Sequence, residues 1–270
     1  MLFSAFSFSA MQIIVKLLKN IPLMEKVFFR NIISLIIAFI IIKKDNLRYL
    51  GLKETRRLLF YRFIFGFSGV ILFFYTTSEM MAADAAMLNK LSPIFVTIFA
   101  YIFLKEKINK TNIISLILSF AGAVLVIKPS LSMSVLPASS GLVSAALSGA
   151  AYIFITAIGK SESIYTTVFF FSLLSVLSSI PFLLYSCVIP SLTDLLLLIA
   201  LGTLAAAGQI AMTYAYKYSE ASDISIYDYT NIIFSSFLGF AFLSEIPDIY
   251  SIIGGILIIS AAVISFINIS

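Results

Sequence analysis

Long apolar runs alternate with short polar gaps from the first residue to the last, and that rhythm predicts a series of membrane-crossing helices. A span needs about 20 mostly apolar residues. Stretches of that kind fall at Leu2–Leu18, Val27–Ile42, Phe60–Thr77, Ala82–Leu104 and Ile113–Ile127, then at Gly141–Ile158, Ile164–Val188, Leu192–Tyr216, Ser222–Leu243 and Ile249–Ile267. The fold class that follows is an all-α polytopic membrane protein of about ten transmembrane helices. Its sharpest interruption is Lys128–Ser140, where Pro129, Pro137 and several serines end one helix before the next begins. The predicted organisation is a five-helix unit at 1–128, a linker at 129–140 and a second five-helix unit at 141–270.

The two units read as copies. Gly69 matches Gly208, Tyr75 matches Tyr214, Asp84 matches Asp223, Phe103-Leu104 matches Phe242-Leu243 and Glu106 matches Glu245. Nearer the start, Val27-Phe28-Phe29 matches Val168-Phe169-Phe170. Aliphatic matches arise easily between apolar segments; the acidic residues and glycines carry the comparison. Two consecutive copies with an odd number of spans enter the membrane in opposite senses, so an inverted-topology repeat with a pseudo-two-fold axis in the membrane plane is expected.

Composition makes the bilayer the solvent. Hydrophobic residues are 61% and charged residues 11%, with mean hydropathy +1.08, against roughly 45–50% and about 25% in soluble domains. The net charge of +5 sits in the gaps between apolar runs, so it does not form a nucleic-acid-binding face. The densest basic cluster, Lys43, Lys44, Arg48, Lys53, Arg56, Arg57 and Arg62, has the form of a cytoplasmic loop. With the N-terminus inside, Lys105, Lys107, Lys110, Lys160 and Lys217 also fall inside, and chiefly Lys19, Lys26 and Lys128 fall outside. A multi-pass plasma-membrane protein with both termini cytoplasmic is the expectation. No basic region precedes the first apolar run, so no cleavable signal peptide is expected. Histidine is absent and Cys187 is the single cysteine, which leaves no internal disulfide or metal cluster to predict.

Several short segments carry a resemblance. Phe74-Tyr75, Ala83-Asp84-Ala85, Leu91-Ser92-Pro93-Ile94-Phe95 and Phe103-Leu104-Lys105-Glu106, together with Arg30, resemble the EamA-like branch of the drug/metabolite transporter superfamily. The resemblance implies ten helices in two inverted five-helix repeats and the movement of small metabolites such as amino acids and their derivatives. The second half departs from the pattern at Thr230-Asn231-Ile232-Ile233-Phe234, so the halves need not contribute alike.

Ionisable groups inside a bilayer cost roughly 2.5–3.5 kcal/mol each on insertion scales, and so mark functional candidates. Lys16, Arg30, Lys90 and Asp228 fall inside the predicted spans. For Lys16 and Arg30, snorkelling to a nearby interface competes with a buried role. Lys90 and Asp228 belong to polar stripes: Ala86, Asn89, Lys90, Pro93 and Thr97 share one helix face, as do Ser225, Asp228, Tyr229, Ile232 and Ser236. Ser9, Gln12 and Lys16 add a stripe on the first helix, and Ser148, Tyr152 and Thr156 one on the sixth. Polar atoms facing lipid would be unsatisfied, so these stripes should converge on a shared interior. Ser148 and Ser225 taken singly read as helix packing contacts. Gly66, Gly69 and Ala205-Ala206-Ala207-Gly208 predict close helix approach, and Pro93 predicts a kink in the fourth helix. Asp84 and Asp223 read as helix N-terminal carboxylates.

The function expected is secondary transport of a small anionic or zwitterionic metabolite, an amino acid or derivative, by alternating access. The candidate substrate-binding residues are Gln12, Lys16, Arg30, Asn89, Lys90, Tyr152, Asp228 and Tyr229, with Lys90 and Asp228 leading. Basic candidates outnumber Asp228, which favours an anion. The alternative is export of cationic or amphipathic compounds, including drugs, held by Asp228 and aromatic faces; a non-transporting scaffold is the third class. No Gly-x-x-x-x-Gly-Lys-Ser/Thr segment is present to hold ATP phosphates. No enzyme activity, catalytic residue, cofactor or nucleic-acid partner is expected. The partners are the substrate and the lipid bilayer, with room for a coupled ion or proton and for a homodimer.

Overall fold

The computed structural model describes residues 1–104, 110–127, 135–218, 230–244 and 248–267, and among them there is no strand. The helices are α1 (Leu2–Leu17), α2 (Leu23–Lys44), α3 (Arg56–Glu79), α4 (Ala82–Asn89), α5 (Ser92–Leu104), α6 (Lys110–Ile127), α7 (Val135–Ile158), α8 (Ile164–Ser186), α9 (Leu192–Tyr218), α10 (Thr230–Leu243) and α11 (Ile249–Ile267). Arg56–Glu79, Asp84–Phe103, Val135–Ile158, Ile164–Ser186 and Leu192–Tyr218 are each long and apolar enough to cross a membrane. The Ser222–Tyr229 part of the predicted ninth span lies outside the described residues.

Three local expectations change. The fourth run is two helices rather than one kinked helix, with the break at Lys90–Leu91. Pro93 has no N–H to give the Asn89 carbonyl, and its ring would clash there. The chain therefore stops α4 at Asn89 and restarts at Ser92, placing Pro93 in a first turn where a missing N–H is harmless. The helix α7 starts at Val135, inside the stretch read as a linker, and takes Pro137 into its first turn for the same reason. Finally, α3 starts at Arg56, four residues before the predicted Phe60–Thr77 span, so Arg62, grouped with the basic loop cluster, lies well inside the helix and is buried.

The packing inverts the soluble pattern. Ser4, Ser9, Gln12, Asn31, Ser34, Thr76, Ser144 and Ser175 are buried, while Phe39, Ile40, Phe60, Phe103, Ile117, Phe120, Leu184 and Ile256 are exposed. Lipid is as apolar as these outer side chains, so polar groups gain by turning inward, where backbone and hydroxyl partners satisfy them. Many hydroxyls bond the carbonyl one turn back, as Ser34 does to Arg30 at 3.1 Å and Ser175 to Phe171 at 2.7 Å. An apolar core of Met11, Val15, Val27, Phe67, Phe74, Phe171, Leu198 and Leu201 joins α1, α2, α3, α8 and α9. A second, of Met87, Leu88, Leu91, Ala138, Ala145, Ile232 and Ile258, joins α4, α7, α10 and α11.

The first and second halves interleave rather than stand apart. The principal contacts pair α3 with α7, α6 with α11, α2 with α8, α1 with α9, α2 with α9, α1 with α10 and α5 with α7. Small residues permit this. A Cβ on Gly122 of α6 would lie 2.7 Å from the Gly254 carbonyl oxygen of α11, and one on Gly202 of α9 would lie 2.6 Å from the Phe29 carbonyl oxygen of α2.

Candidate functional site

A cavity lies where α1, α2, α3, α7, α9 and α10 meet the α4–α5 break. Phe8, Met11, Val70, Phe73, Phe74 and Met212 form its apolar wall. Gln12, Arg30, Arg62, Asn89, Lys90, Tyr152, Gln209 and Asn231 bring polar groups to it. Among the described lining residues there are three cationic side chains and no carboxylate.

Arg30 reaches the cavity from α2 and is 4% exposed. It turns inward rather than snorkelling: Nη1 donates to Asn31 Oδ1 at 3.0 Å and Nη2 to Gln209 Oε1 at 3.3 Å. Asn31 is itself fixed by donating to the Val27 carbonyl at 2.8 Å, and Gln209 Nε2 donates to Thr213 at 3.4 Å. Arg30 is thus braced from both halves. Arg62, on α3, is 3% exposed, and its guanidinium carbon stands 4.4 Å from the centroid of the Phe171 ring on α8. The Arg30 guanidinium lies 5.8 Å from the same centroid, so one ring serves two cations.

Across the cavity, α1 and α10 are joined by amides and hydroxyls. Asn231 Nδ2 donates to Ser9 Oγ at 2.6 Å and to the Ala5 carbonyl at 2.9 Å, while Ser235 donates to Gln12 Oε1 at 2.6 Å. These bonds leave Gln12 Nε2 over. Buried and, among the described residues, without a hydrogen-bond partner, it joins Arg30 Nε and Arg62 Nε in the same condition. All three are donors, and all three belong to cavity-lining residues.

The cavity brings together Gln12, Arg30, Asn89, Lys90 and Tyr152 of the candidates read from the sequence. Asn89 and Lys90 reach it because the helix breaks beside them, as discontinuous helices do at transporter sites. Tyr152 is also stacked on Tyr216, with ring centroids 5.1 Å apart. Lys16 is not among the lining residues; its ammonium donates to the Met80 carbonyl at the end of α3. Asp228 and Tyr229 lie outside the described residues. Glu79 is exposed.

One family model matches residues 1–128 and again residues 136–267, that of the EamA-like transporter family. The chain belongs to this family. Among EamA-like and related proteins, it is 31% identical to the Pseudopaline exporter CntI of Pseudomonas aeruginosa, covering 96% of this chain and 92% of the exporter. It is 26% identical to Solute carrier family 35 member G1 of Mus musculus, covering 95% and 74% respectively. It is also 26% identical to the S-adenosylmethionine uptake transporter of Rickettsia bellii, covering 88% and 81%. A solved crystal structure shares the fold over 98% of this chain and 97% of its own, with a TM-score of 0.70 at 14% identity. This EamA-like protein is therefore a multi-pass membrane transporter of a small molecule.

Sequence reasoning missed Arg62, Gln209, Asn231 and Phe171. Arg62 was hidden in a basic run, although Gly66 one turn on was the signal that a long side chain could lie along that helix. Asn231 stood out only as a departure from the first-half pattern, and Gln209 is a lone amide within an apolar run. Phe171 carries no signal that separates it from the other phenylalanines.

Proposed function

We propose that the chain is a secondary transporter for a small anionic or zwitterionic metabolite, an amino acid or derivative, working by alternating access. The observation that carries the anionic reading is the set of three unpartnered donors, Gln12 Nε2, Arg30 Nε and Arg62 Nε, on residues lining one cavity. A buried donor without an acceptor costs about 1–3 kcal/mol, more when charged. A ligand rich in acceptors and carrying negative charge removes that cost. Lys90 adds a further cation at the helix break. The relatives include both an exporter and an uptake transporter, so direction stays open to the experiment.

The same proposal takes the architecture to be ten spans in two inverted five-helix repeats with both termini cytoplasmic in the plasma membrane. The double match of one family model supports it. So does the packing, which maps onto itself when the halves exchange: α3 with α7 corresponds to α9 with α1, α5 with α7 corresponds to α10 with α1, and α2–α8 and α6–α11 are self-paired. Alternating access then rocks one set of helices against the other around the cavity.

Purified protein in sealed liposomes should take up anionic or zwitterionic solutes down an imposed solute or ion gradient, with no ATP. ATP-dependent uptake with no gradient sinks the secondary-transporter reading. Uptake restricted to cations favours the cationic alternative.

A further inference from the structure

We propose that Arg62 anchors a carboxylate subsite, its guanidinium fork taking a substrate carboxylate through paired hydrogen bonds while the apolar wall holds the substrate's body. This rests on the anionic-substrate reading and deepens it, naming both the chemical group and the side chain that receives it.

The support of Arg62 leaves its donors free. Its cationic face lies against the Phe171 ring at 4.4 Å, and its chain crosses the bare face of α3 at Gly66, where a Cβ would stand only 1.8 Å from Nη1. Shape and cation–π attraction fix the group without using any of its five N–H bonds. Among the described residues it has neither a hydrogen bond nor an ion pair, though it is 3% exposed and lines the cavity. Arg30 is different, since Nη1 and Nη2 are already bound to protein acceptors and only Nε is over. A planar fork matches a carboxylate in two parallel bonds, a geometry that lysine's point charge does not reproduce. A buried cation with no counter-charge is strongly penalised; an incoming carboxylate supplies the missing partner. Phe8, Phe73 and Phe74, which line the same cavity, give that carboxylate's carrier an apolar surface.

The test is thermal unfolding of the full chain in detergent with four probes: L-phenylalanine, 3-phenylpropionate, L-phenylalaninamide and 2-phenylethylamine. The two carboxylates should raise Tm, and the amide and amine should not. Arg62→Lys, which keeps the charge but not the fork, should raise the half-saturating carboxylate concentration by about tenfold or more. Gly66→Ala should do the same with Arg62 intact, because the added methyl displaces the side chain. Arg62→Met without ligand should be at least as stable as the native chain, whereas an arginine retained for structure would lower Tm when removed. The subsite is overturned if none of the four probes moves Tm, if the amide and amine act as well as the acids, or if Arg62→Met is less stable. Uptake of a mixed metabolite extract into liposomes separates this from the broader reading. Flux of amines or neutral solutes with carboxylates ignored leaves a transporter standing and removes the subsite.

Discussion

Ser144 donates its hydroxyl to the Gly69 carbonyl at 2.8 Å across the α3–α7 interface, and Ser4 makes the same bond to the Gly208 carbonyl at 2.9 Å across α1–α9. Gly69 and Gly208 are the glycines that the sequence comparison matched. A Cβ on Gly69 would stand 3.2 Å from Ser148 Oγ and one on Gly208 3.0 Å from the Phe8 ring, so each glycine lets its partner helix lie close.

Ser4→Ala and Ser144→Ala should each lower stability by about 0.6 kcal/mol, at most about 1.7 kcal/mol, the range for hydrogen bonds between membrane helices. The interfaces are separate, so the double variant should show the sum of the two losses. Equilibrium unfolding in mixed micelles measures this, and strong coupling between the two sites would contradict their independence.

Gly202→Ala tests the α2–α9 approach. The new Cβ would sit 2.6 Å from both the Phe29 carbonyl oxygen and Ile33 Cδ1. The side chain can rotate away but the carbonyl cannot, so α9 must retreat. A loss of about 1–3 kcal/mol is expected, as for overpacked cores. An unchanged unfolding midpoint would show that the helices are further apart than described.

Glu162 ties the α7–α8 turn to the start of α3. Its carboxylate accepts from the Leu52 amide at 2.6 Å and from the Thr55 hydroxyl, while its carbonyl accepts from Lys217 at 2.8 Å. Gly51, at φ +66°, bends the loop close to the carboxylate. Glu162→Ala should cost about 1.5–3 kcal/mol, as expected for hydrogen bonds to a charged group. Glu162→Gln should cost less because one acceptor oxygen survives. Equal thermal shifts for the two variants would mean that the surviving acceptor oxygen contributes nothing and that the charge carries the effect.

Lys16 and Lys90 were both candidates in the sequence, Lys90 the leading one, and the structure gives them different surroundings. Lys16→Met, which loses a carbonyl contact at the end of α3, should lower stability and leave transport in place. Lys90→Met should cut the transport rate by about tenfold or more, equivalent to about 1.4 kcal/mol. If Lys90 pairs with Asp228, adding Asp228→Asn should restore part of the stability lost in Lys90→Met. Liposome flux and thermal unfolding of these variants beside the native chain decide it, and normal flux in Lys90→Met removes that residue from the site.

Cys187 is free and exposed just beyond α8. With the N-terminus inside, it should face outward and react with a membrane-impermeant thiol reagent in intact cells. Labelling only after the membrane is permeabilised would reverse the proposed orientation, and a reporter fused after Ser270 gives an independent reading.

Helix positions were legible because twenty-residue apolar runs have few other outcomes in a bilayer. Ile249–Ile267 is the same in sequence and structure, and most other boundaries move by a few residues. Inward-facing polar residues such as Gln12 and Tyr152 were legible for the same reason. What was hidden depends on contacts between distant segments. The positive-inside rule sums charges along the chain, so it grouped Arg62 with Arg56 and Arg57. Gly66 and Phe171, which draw Arg62 into the interior, act only after α3 and α8 have met.

A guanidinium keeps its proton throughout the physiological range, which bears on how a bound anion leaves. Arg62 cannot let go by becoming neutral, as a histidine or a lowered lysine would. Its ring partner sits on a different helix, so a slide of α3 against α8 would strip the cation of its aromatic backing and re-aim its fork. If Arg62 receives the substrate carboxylate as proposed, unloading is a mechanical event, and a proton gradient that drives the cycle must act on another group.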